Sequence, residues 1–265
     1  MIKNKPLLCF LYTFTLLINA EYSAIPGELI AIKLKKSTEN IISNELVVEN
    51  DLNKIIIIPI PYNNTNLSLD LYDIQINIQK KDFGESRITI DNLSQVDLNN
   101  EDAARAYKES RLIKDAVKTY SNDFKPLLNF IRPVEGIISS RYGKKRFINN
   151  SPRSPHLALD IAAPEGSPII APAYGKVILT GNFFYGGNYI ILDHGYGMLS
   201  SYSHLSEILV KKGDILNQSD LIGKVGSTGR VTGPHLHWTV YLNEIRINPE
   251  SLLKDNYLNT LLESI

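Results

Sequence analysis

Short apolar runs separated by turn-forming residues dominate the sequence, and their lengths predict strands rather than helices. The segment 74–78 shows the pattern most clearly, because apolar and polar side chains alternate there as in a half-buried strand. The Asn-rich cluster at 62–66 and the segment 82–85, which contains Asp82 and Gly84, have the composition of turns. Several short strands with regular turns predict a small β-sandwich-like domain over residues 21–98. Its strands are predicted at 29–34, 46–48, 54–60, 74–78 and 87–90.

The pattern changes after residue 98, where a stretch without Gly or Pro favours a helix. Asn99 or Asn100 can cap the start of this helix, and Glu101 and Asp102 suit the positive end of its dipole. Apolar residues are sparse here, so we expect the helix to be partly exposed. Residues 99–132 are therefore interpreted as a helical connector between two β domains.

Strand-like runs return in residues 133–265, and glycines separate them at close intervals. Such spacing predicts a compact antiparallel β domain, so the fold class expected for the whole chain is mainly β. The strands of this second domain are predicted at 168–170, 176–180, 189–192, 199–203, 221–225 and 237–241.

The first twenty residues have the composition of an export signal. Lys3 and Lys5 precede an apolar stretch at 7–18, and Ile18-Asn19-Ala20 offers an acceptable signal-cleavage site. The stretch is shorter than the roughly 20 residues that span a membrane, so we expect no span after cleavage, with an uncleaved anchor as the alternative. The only cysteine, Cys9, lies inside it, and the mature chain would hold its fold without disulfides.

Composition and charge argue against nucleic acid as a partner. The chain carries 28 Lys and Arg against 28 Asp and Glu, for a formal net charge of zero. A local basic cluster at 141–146 is interpreted as a solvated turn in preference to a contact with an anionic wall polymer.

Residues with the spacing of metal ligands lie in the second β domain. His156 and Asp160 are four residues apart, and His235 and His237 are two residues apart at the start of an apolar run. Side chains i and i+2 leave a strand on the same face, so both histidines are expected to point into one cavity. Imidazole and carboxylate suit Zn²⁺, which in catalytic sites takes three protein ligands and keeps a fourth position for water. The pattern predicts a hydrolase in which one histidine of the pair binds metal and the other handles protons.

Three motifs occur in a fixed order: His156-x-x-x-Asp160, then Tyr202-Ser203-His204-Leu205-Ser206, then His235-x-His237. In this order and spacing they resemble the lysostaphin/LytM-type zinc metallopeptidases, which cut peptide bonds in peptidoglycan. The resemblance extends from about 133 to 253 and includes flanking segments at 139–143, 160–166, 175–177 and 226–229. Ala158 departs from it, because the family usually has glycine there.

The resemblance implies a role for each residue of these motifs. His156, Asp160 and His237 would be the ligands of Zn²⁺, and His204 and His235 would be the unligated pair beside the zinc-bound water and the substrate carbonyl. It also implies a mainly antiparallel core with an open groove over the metal. Which of the two free histidines is the general base stays open.

Other polar residues near these motifs are interpreted differently. Tyr202 shares a strand face with His204 and could line the groove, although a packing role is at least as plausible. Asn188, Arg153 and Thr228 are interpreted as structural in preference to substrate contacts, and His194 as a turn residue.

The function expected from the resemblance is that of an exported zinc endopeptidase acting on cross-links or stems of peptidoglycan, without a covalent enzyme intermediate. The expected location is the periplasm or cell envelope, where bridges from D-alanine to diaminopimelate would be the substrate. A non-catalytic activator of another wall hydrolase and a different zinc hydrolase, such as an amidase, are the alternatives. The role of the N-terminal domain, the oligomeric state and any regulatory partner stay open.

Overall fold

The computed structural model describes residues 22–36, 45–49, 53–63, 68–71, 74–89, 98–126, 128–255 and 257–263. The predicted export signal at 1–20 lies outside the described residues. The described part of the chain contains no helix that is long and apolar enough to cross a membrane.

Strands outnumber helices throughout the described residues, which confirms the mainly β fold. The helices are α1 (Asn100–Val117), α2 (Pro249–Leu252) and α3 (Tyr257–Glu263). The strands are β1 (Tyr22–Ala24), β2 (Leu29–Lys35), β3 (Leu46–Glu49), β4 (Asn53–Pro59), β5 (Ser68–Leu71), β6 (Ile74–Ile78), β7 (Glu85–Ile88), β8 (Ile137–Ser140), β9 (Lys145–Ile148), β10 (Ser151–Arg153), β11 (Leu159–Ala162), β12 (Pro168–Ile170), β13 (Gly175–Phe183), β14 (Gly187–Asp193), β15 (Met198–Ile208), β16 (Ile215–Leu216), β17 (Leu221–Val225), β18 (His235–Leu242) and β19 (Ile245–Ile247).

The N-terminal strands form two three-stranded sheets, in the orders β2-β4-β3 and β1-β6-β5. Ile56 and Ile58 of β4 lie in a core cluster shared with Ile76 of β6, so the two sheets pack together. Ile55 and Ile57, on the other face of β4, lie in a second cluster that includes residues of the C-terminal strands. Four consecutive isoleucines are thus buried because both faces of this strand are covered.

The helix α1 begins where the sequence predicts. Asn99 is its N-cap, and the Asn99 side chain accepts a hydrogen bond of 2.8 Å from the backbone N–H of Asp102. Most of the helix is exposed, as its sparse apolar residues suggest, but Val117 packs in a cluster with Phe183 and Tyr189. The helix is therefore attached to the hairpin of β13 and β14.

A ten-stranded sheet built from residues 137–247 positions the site. Its main path runs β16-β13-β14-β15-β18-β11-β8, and every strand pair in it is antiparallel. Trp238 and Tyr202 lie directly opposite each other on β18 and β15, and both side chains are fully buried. All six strands predicted for this region lie within observed strands.

A separate three-stranded sheet, in the order β10-β9-β7, joins residues from the two halves of the chain. β7 pairs in parallel with β9, and Ser86 lies opposite Arg146. The interpretation of 141–146 as a solvated turn is therefore wrong for Arg146, which belongs to a strand and approaches Asp160. The boundaries predicted at 98 and 132 stay predictions, but chain contacts cross both.

Candidate metal centre and active site

Asp160 and His237 meet because their strands are neighbours. The two residues lie directly opposite each other in the antiparallel pairing of β11 with β18, and opposed side chains start about 5 Å apart at Cβ. His156 lies just before β11. Its backbone N–H donates to Lys144 O at 2.9 Å, and its carbonyl accepts from Gly143 N at 2.6 Å. These bonds hold the residue at the end of β11, beside the strand pair.

The three side chains bring their ligand atoms to one point. His156 Nε2 and Asp160 Oδ1 are 3.0 Å apart, His237 Nδ1 and Asp160 Oδ1 are 2.7 Å apart, and the two nitrogens are 3.3 Å apart. Ligands of tetrahedral zinc lie at about 2.0–2.2 Å from the ion and hence at roughly 3.3 Å from each other. Among the described residues, these three form a group that could hold a metal ion, and their donor set fits zinc.

The environment favours the charged form of Asp160, and burial disfavours the charged form of His237. Burial raises the pKa of Asp160, but the adjacent His237 and His156 outweigh burial and hold this pKa well below its usual range. Burial lowers the pKa of His237 despite the opposing effect of the Asp160 charge. A carboxylate and a neutral imidazole are the protonation states that metal ligation requires.

Hydrogen bonds at the far side of the His156 ring fix its tautomer. His156 Nδ1 is 3.0 Å from the carbonyl oxygen of Arg141 and 3.2 Å from Ser140 Oγ. A carbonyl oxygen only accepts, so Nδ1 carries the proton and donates it, and the lone pair of Nε2 faces Asp160. Such outer contacts orient metal-binding histidines in proteins.

His204 and His235 form a second pair of rings beside this cluster. Their centroids are 4.9 Å apart, and the His204 ring is 5.8 Å from the His237 ring. His204 Nδ1 lies 2.9 Å from Thr228 O, and His235 Nδ1 lies 2.9 Å from Gly233 O. Each Nδ1–H donates to a carbonyl, so each Nε2 keeps its lone pair for proton transfer. Burial, reinforced by the nearby His237 and His235, lowers the pKa of His204 to about 3.

A β-bulge places His204. Between the pairs Asn188–Leu205 and Ile190–Tyr202, β15 has one more residue than β14. His204 takes a left-handed backbone with a φ of 69°, and its N–H donates to Gly186 O at 2.7 Å. The extra residue interrupts the alternation of faces, so Tyr202 is fully buried and does not line the groove. The interpretation of Tyr202 as a packing residue is therefore correct.

The other polar residues are mainly structural. Asn188 Nδ2 donates to Leu205 O at 3.0 Å, and Thr228 Oγ1 donates to the same carbonyl at 2.7 Å. His194 is enclosed, with Nδ1 at 2.7 Å from Tyr174 O and Nε2 at 2.7 Å from Ser200 Oγ. Ala158 is also buried, and its φ is not positive, so its backbone does not require glycine.

Arg146 is a site residue that the sequence motifs do not contain. Its Nη2 lies 3.7 Å from Asp160 Oδ2, the carboxylate oxygen that points away from both histidines. Only the pairing of β9 with β7 and β10 brings this side chain to the site, and no local sequence signal marks it. The structure thus brings together all five predicted residues and adds Arg146, while their division into ligands and free histidines stays a prediction.

Known proteins resemble part of this chain. Peptidoglycan DD-endopeptidase ShyA of Vibrio cholerae is 41% identical over 120 residues, which are 45% of this chain and 27% of ShyA. A metalloprotease of Buchnera aphidicola, itself uncharacterized, is 44% identical over 117 residues, or 43% of this chain and 31% of that protein. The chain therefore spans less than a third of the length of these relatives.

A solved structure resembles more of the chain. A Pseudomonas aeruginosa protein assigned to peptidase M23 superposes with a TM-score of 0.64 at 29% identity, covering 86% of this chain and 94% of that protein. The sequence pattern of peptidase family M23 matches residues 154–249, which contain His156, Asp160, His204, His235 and His237. Residues 154–249 therefore form a domain of peptidase family M23.

Proposed function

We propose that this chain is an exported zinc metalloendopeptidase that hydrolyses peptide cross-links or stems of peptidoglycan. One observation carries the proposal: three ligand atoms converge within 3.3 Å beside two imidazoles whose Nε2 atoms keep their lone pairs. A site with three protein ligands leaves a position open for chemistry. The name of ShyA supports peptidoglycan as the substrate, and the family supports peptide-bond hydrolysis.

His156, Asp160 and His237 would hold the zinc ion. When bound, zinc supplies Lewis acidity and lowers the pKa of a water molecule towards about 7. Asp160 contributes the negative charge of the ligand set, and its second oxygen faces Arg146 at 3.7 Å. The Arg141 carbonyl keeps the His156 ring turned towards Asp160.

His204 and His235 would move the proton. Each can accept a proton at Nε2 from the attacking water, and the resulting imidazolium can donate it to the leaving amine. The low pKa of His204 keeps this ring neutral in the resting enzyme. A protonated ring beside the substrate also stabilises the negative charge that develops on the carbonyl oxygen.

Direct attack by water needs no nucleophile from the protein. Ser200 is hydrogen bonded to His194, as in a catalytic dyad, but Ser200 is 0% exposed and His194 is 1% exposed. Substrate cannot reach this pair, so no covalent intermediate forms there. Cys9, the only cysteine, would be removed with the export signal.

Digestion of purified peptidoglycan tests the proposal. The mature chain should remove cross-linked dimers, a chelator should stop the reaction, and added zinc should restore it. His237→Ala is the control for contaminating hydrolases. If the zinc-loaded protein leaves cross-links and stems intact, the hydrolase proposal fails. Release of whole stems from the glycan would instead identify an amidase.

A separate measurement tests export. The mass of the protein isolated from the cell envelope should correspond to a chain that begins at residue 21.

A further inference from the structure

Three arginines from separate segments lie around one side of the candidate site. Arg146 on β9 and Arg153 on β10 are opposed residues of an antiparallel pair. Opposed side chains share one face and start about 5 Å apart. Arg146 reaches to 3.7 Å from Asp160, so the face that carries Arg153 is the face directed towards the metal cluster.

Arg230 lies in the loop that contains Thr228, and this loop is hydrogen bonded to His204. The carbonyl of Thr228 in this loop accepts the hydrogen bond from His204 Nδ1. The Arg230 backbone N–H donates to Tyr185 O at 3.1 Å, and its guanidinium carbon lies 4.3 Å from the centre of the Tyr185 ring. Stacking on the Tyr185 ring restricts the position of the Arg230 guanidinium, and the group keeps its positive charge.

The three cations influence each other. Arg230 lies close enough to Arg146 for the two positive charges to act on each other. Burial lowers the pKa of Arg230, Tyr185 raises it, and the Arg153 charge lowers it. Like charges repel, and an anion bound between the three arginines would relieve that repulsion.

We propose that Arg146, Arg153 and Arg230 form a carboxylate-binding subsite that orients an acidic peptide beside the metal cluster. The subsite rests on the proposed function, because it assigns the substrate of that reaction a free carboxylate next to the cleaved bond. All three cations are arginines, whose planar guanidinium groups pair with carboxylates through two parallel hydrogen bonds. Arg146 is partly buried and already faces Asp160 at 3.7 Å, so Arg153, which is exposed, and Arg230 would make the main contacts with the peptide carboxylate.

Matched substrates test the subsite. One is a synthetic cross-linked peptide with free diaminopimelate carboxylates, and the other is the same peptide with those groups amidated. The zinc-loaded protein should prefer the free acid by about tenfold or more in kcat/KM, since hydrogen bonds to charged groups are strong. Combined Arg153→Gln and Arg230→Gln changes should bring the ratio of the two kcat/KM values close to one, chiefly through KM and with unchanged zinc content.

Lys145→Gln is the matched control. Lys145 precedes Arg146 on the same strand and is exposed, and neighbouring residues of a strand point to opposite faces. This variant loses one positive charge next to Arg146, against two in the double arginine variant, and should keep the wild-type preference. An unchanged preference in the double arginine variant, or an equal loss in Lys145→Gln, would overturn the subsite.

Calorimetry with the cleaved product peptides separates this inference from the proposed function. The acid form should bind the wild type about tenfold more tightly than the amide form, and the double arginine variant should lose this difference. Absence of hydrolysis of both peptides by the wild type would contradict the proposed function, and the binding measurement would still decide the subsite. Equal binding of acid and amide forms by the wild type would refute the subsite.

Discussion

Two groups of histidines share one small region, but their surroundings differ. His156 and His237 direct nitrogen atoms towards the same oxygen of Asp160, at 3.0 and 2.7 Å. His204 and His235 have no carboxylate between them, and each donates its Nδ1–H to a backbone carbonyl at 2.9 Å. The group that faces each histidine therefore decides whether its ring suits metal binding or proton transfer.

The comparison teaches that spacing along the sequence does not assign these roles. His235 and His237 are two residues apart on β18, yet only His237 lies opposite Asp160 in the strand register. His235 lies opposite Ala162 instead. The register of β11 with β18 thus selects which histidine of the motif lies beside Asp160 in the candidate metal site, and we expect single substitutions to separate the two groups.

The largest effect is expected for His237→Ala. Loss of one of three ligands should release zinc and reduce hydrolysis to background, because a catalytic zinc site requires its full ligand set. Metal analysis after gel filtration, together with a digestion assay, checks both effects. His235→Ala is the matched control, two residues away on the same strand, and should keep its zinc. Full zinc occupancy in His237→Ala would contradict the ligand assignment.

His204→Ala should separate zinc binding from hydrolysis. Zinc should stay bound at wild-type stoichiometry, while hydrolysis should fall by about 10²- to 10⁴-fold, the usual contribution of a general acid or base. Metal content and kcat measured on the same preparation check this. Normal hydrolysis with zinc bound would remove His204 from the proposed mechanism.

Arg146→Gln should have a smaller effect on the metal. Asp160 would lose the cation that faces its second oxygen, and such outer partners typically contribute about 10- to 100-fold in metal affinity. A competitive chelator titration measures this affinity, with Lys145→Gln as the control for loss of charge on β9. An unchanged affinity would mean that Arg146 does not help to hold Asp160.

His194 is expected to affect stability at low pH but not metal binding. Burial lowers its pKa to about 4, so between about 6.5 and 4 the unfolded chain binds a proton that the folded protein excludes. Stability should therefore decrease as pH falls through this range, by about 3 kcal/mol in all from this residue. Denaturant unfolding with chelator present, at several pH values, should show a shallower decrease for His194→Gln than for the wild type. If the free energy of unfolding fell equally with pH in both proteins, His194 would not contribute to the acid sensitivity.

Local patterns in the sequence were sufficient for much of the fold. The alternation in β6, the apolar run in β18 and the capping residue Asn99 each act within a few neighbours, so they can be recognised from the sequence. β11 was not predicted as a strand, because its pairing with β18 joins residues far apart in the sequence. β9 was read as part of a basic turn, because its pairing partners are distant in the sequence.

The modular interpretation of the N-terminal half is also affected by distant contacts. Ile55 and Ile57 of β4 pack in the same cluster as Leu159, Ile161 and Trp238. A run of isoleucines predicts a strand, but it does not reveal what covers the second face. Removing the N-terminal strands would expose this part of the core around β11, so the full chain is the appropriate protein for activity assays.

In the candidate site, too, the motif residues can be recognised from the sequence, whereas features that depend on strand pairing cannot. Motifs and resemblance identified all five histidine and aspartate positions, and the structure brings them together. The bulge at His204 and the approach of Arg146 depend on strand pairing across many residues, so the motifs contained neither. The burial of Tyr202 follows from that bulge and overrides the simple alternation of faces.

The most direct test of the account is to locate the ion itself. Crystals of the zinc-loaded mature chain, measured at the zinc absorption edge, would give the position of the metal from its anomalous scattering. The account predicts a single strong peak at about 2.0–2.2 Å from His156 Nε2, Asp160 Oδ1 and His237 Nδ1, with His204 and His235 outside the ligand set. A peak coordinated by His204 or His235, or one that lacks Asp160, would contradict it.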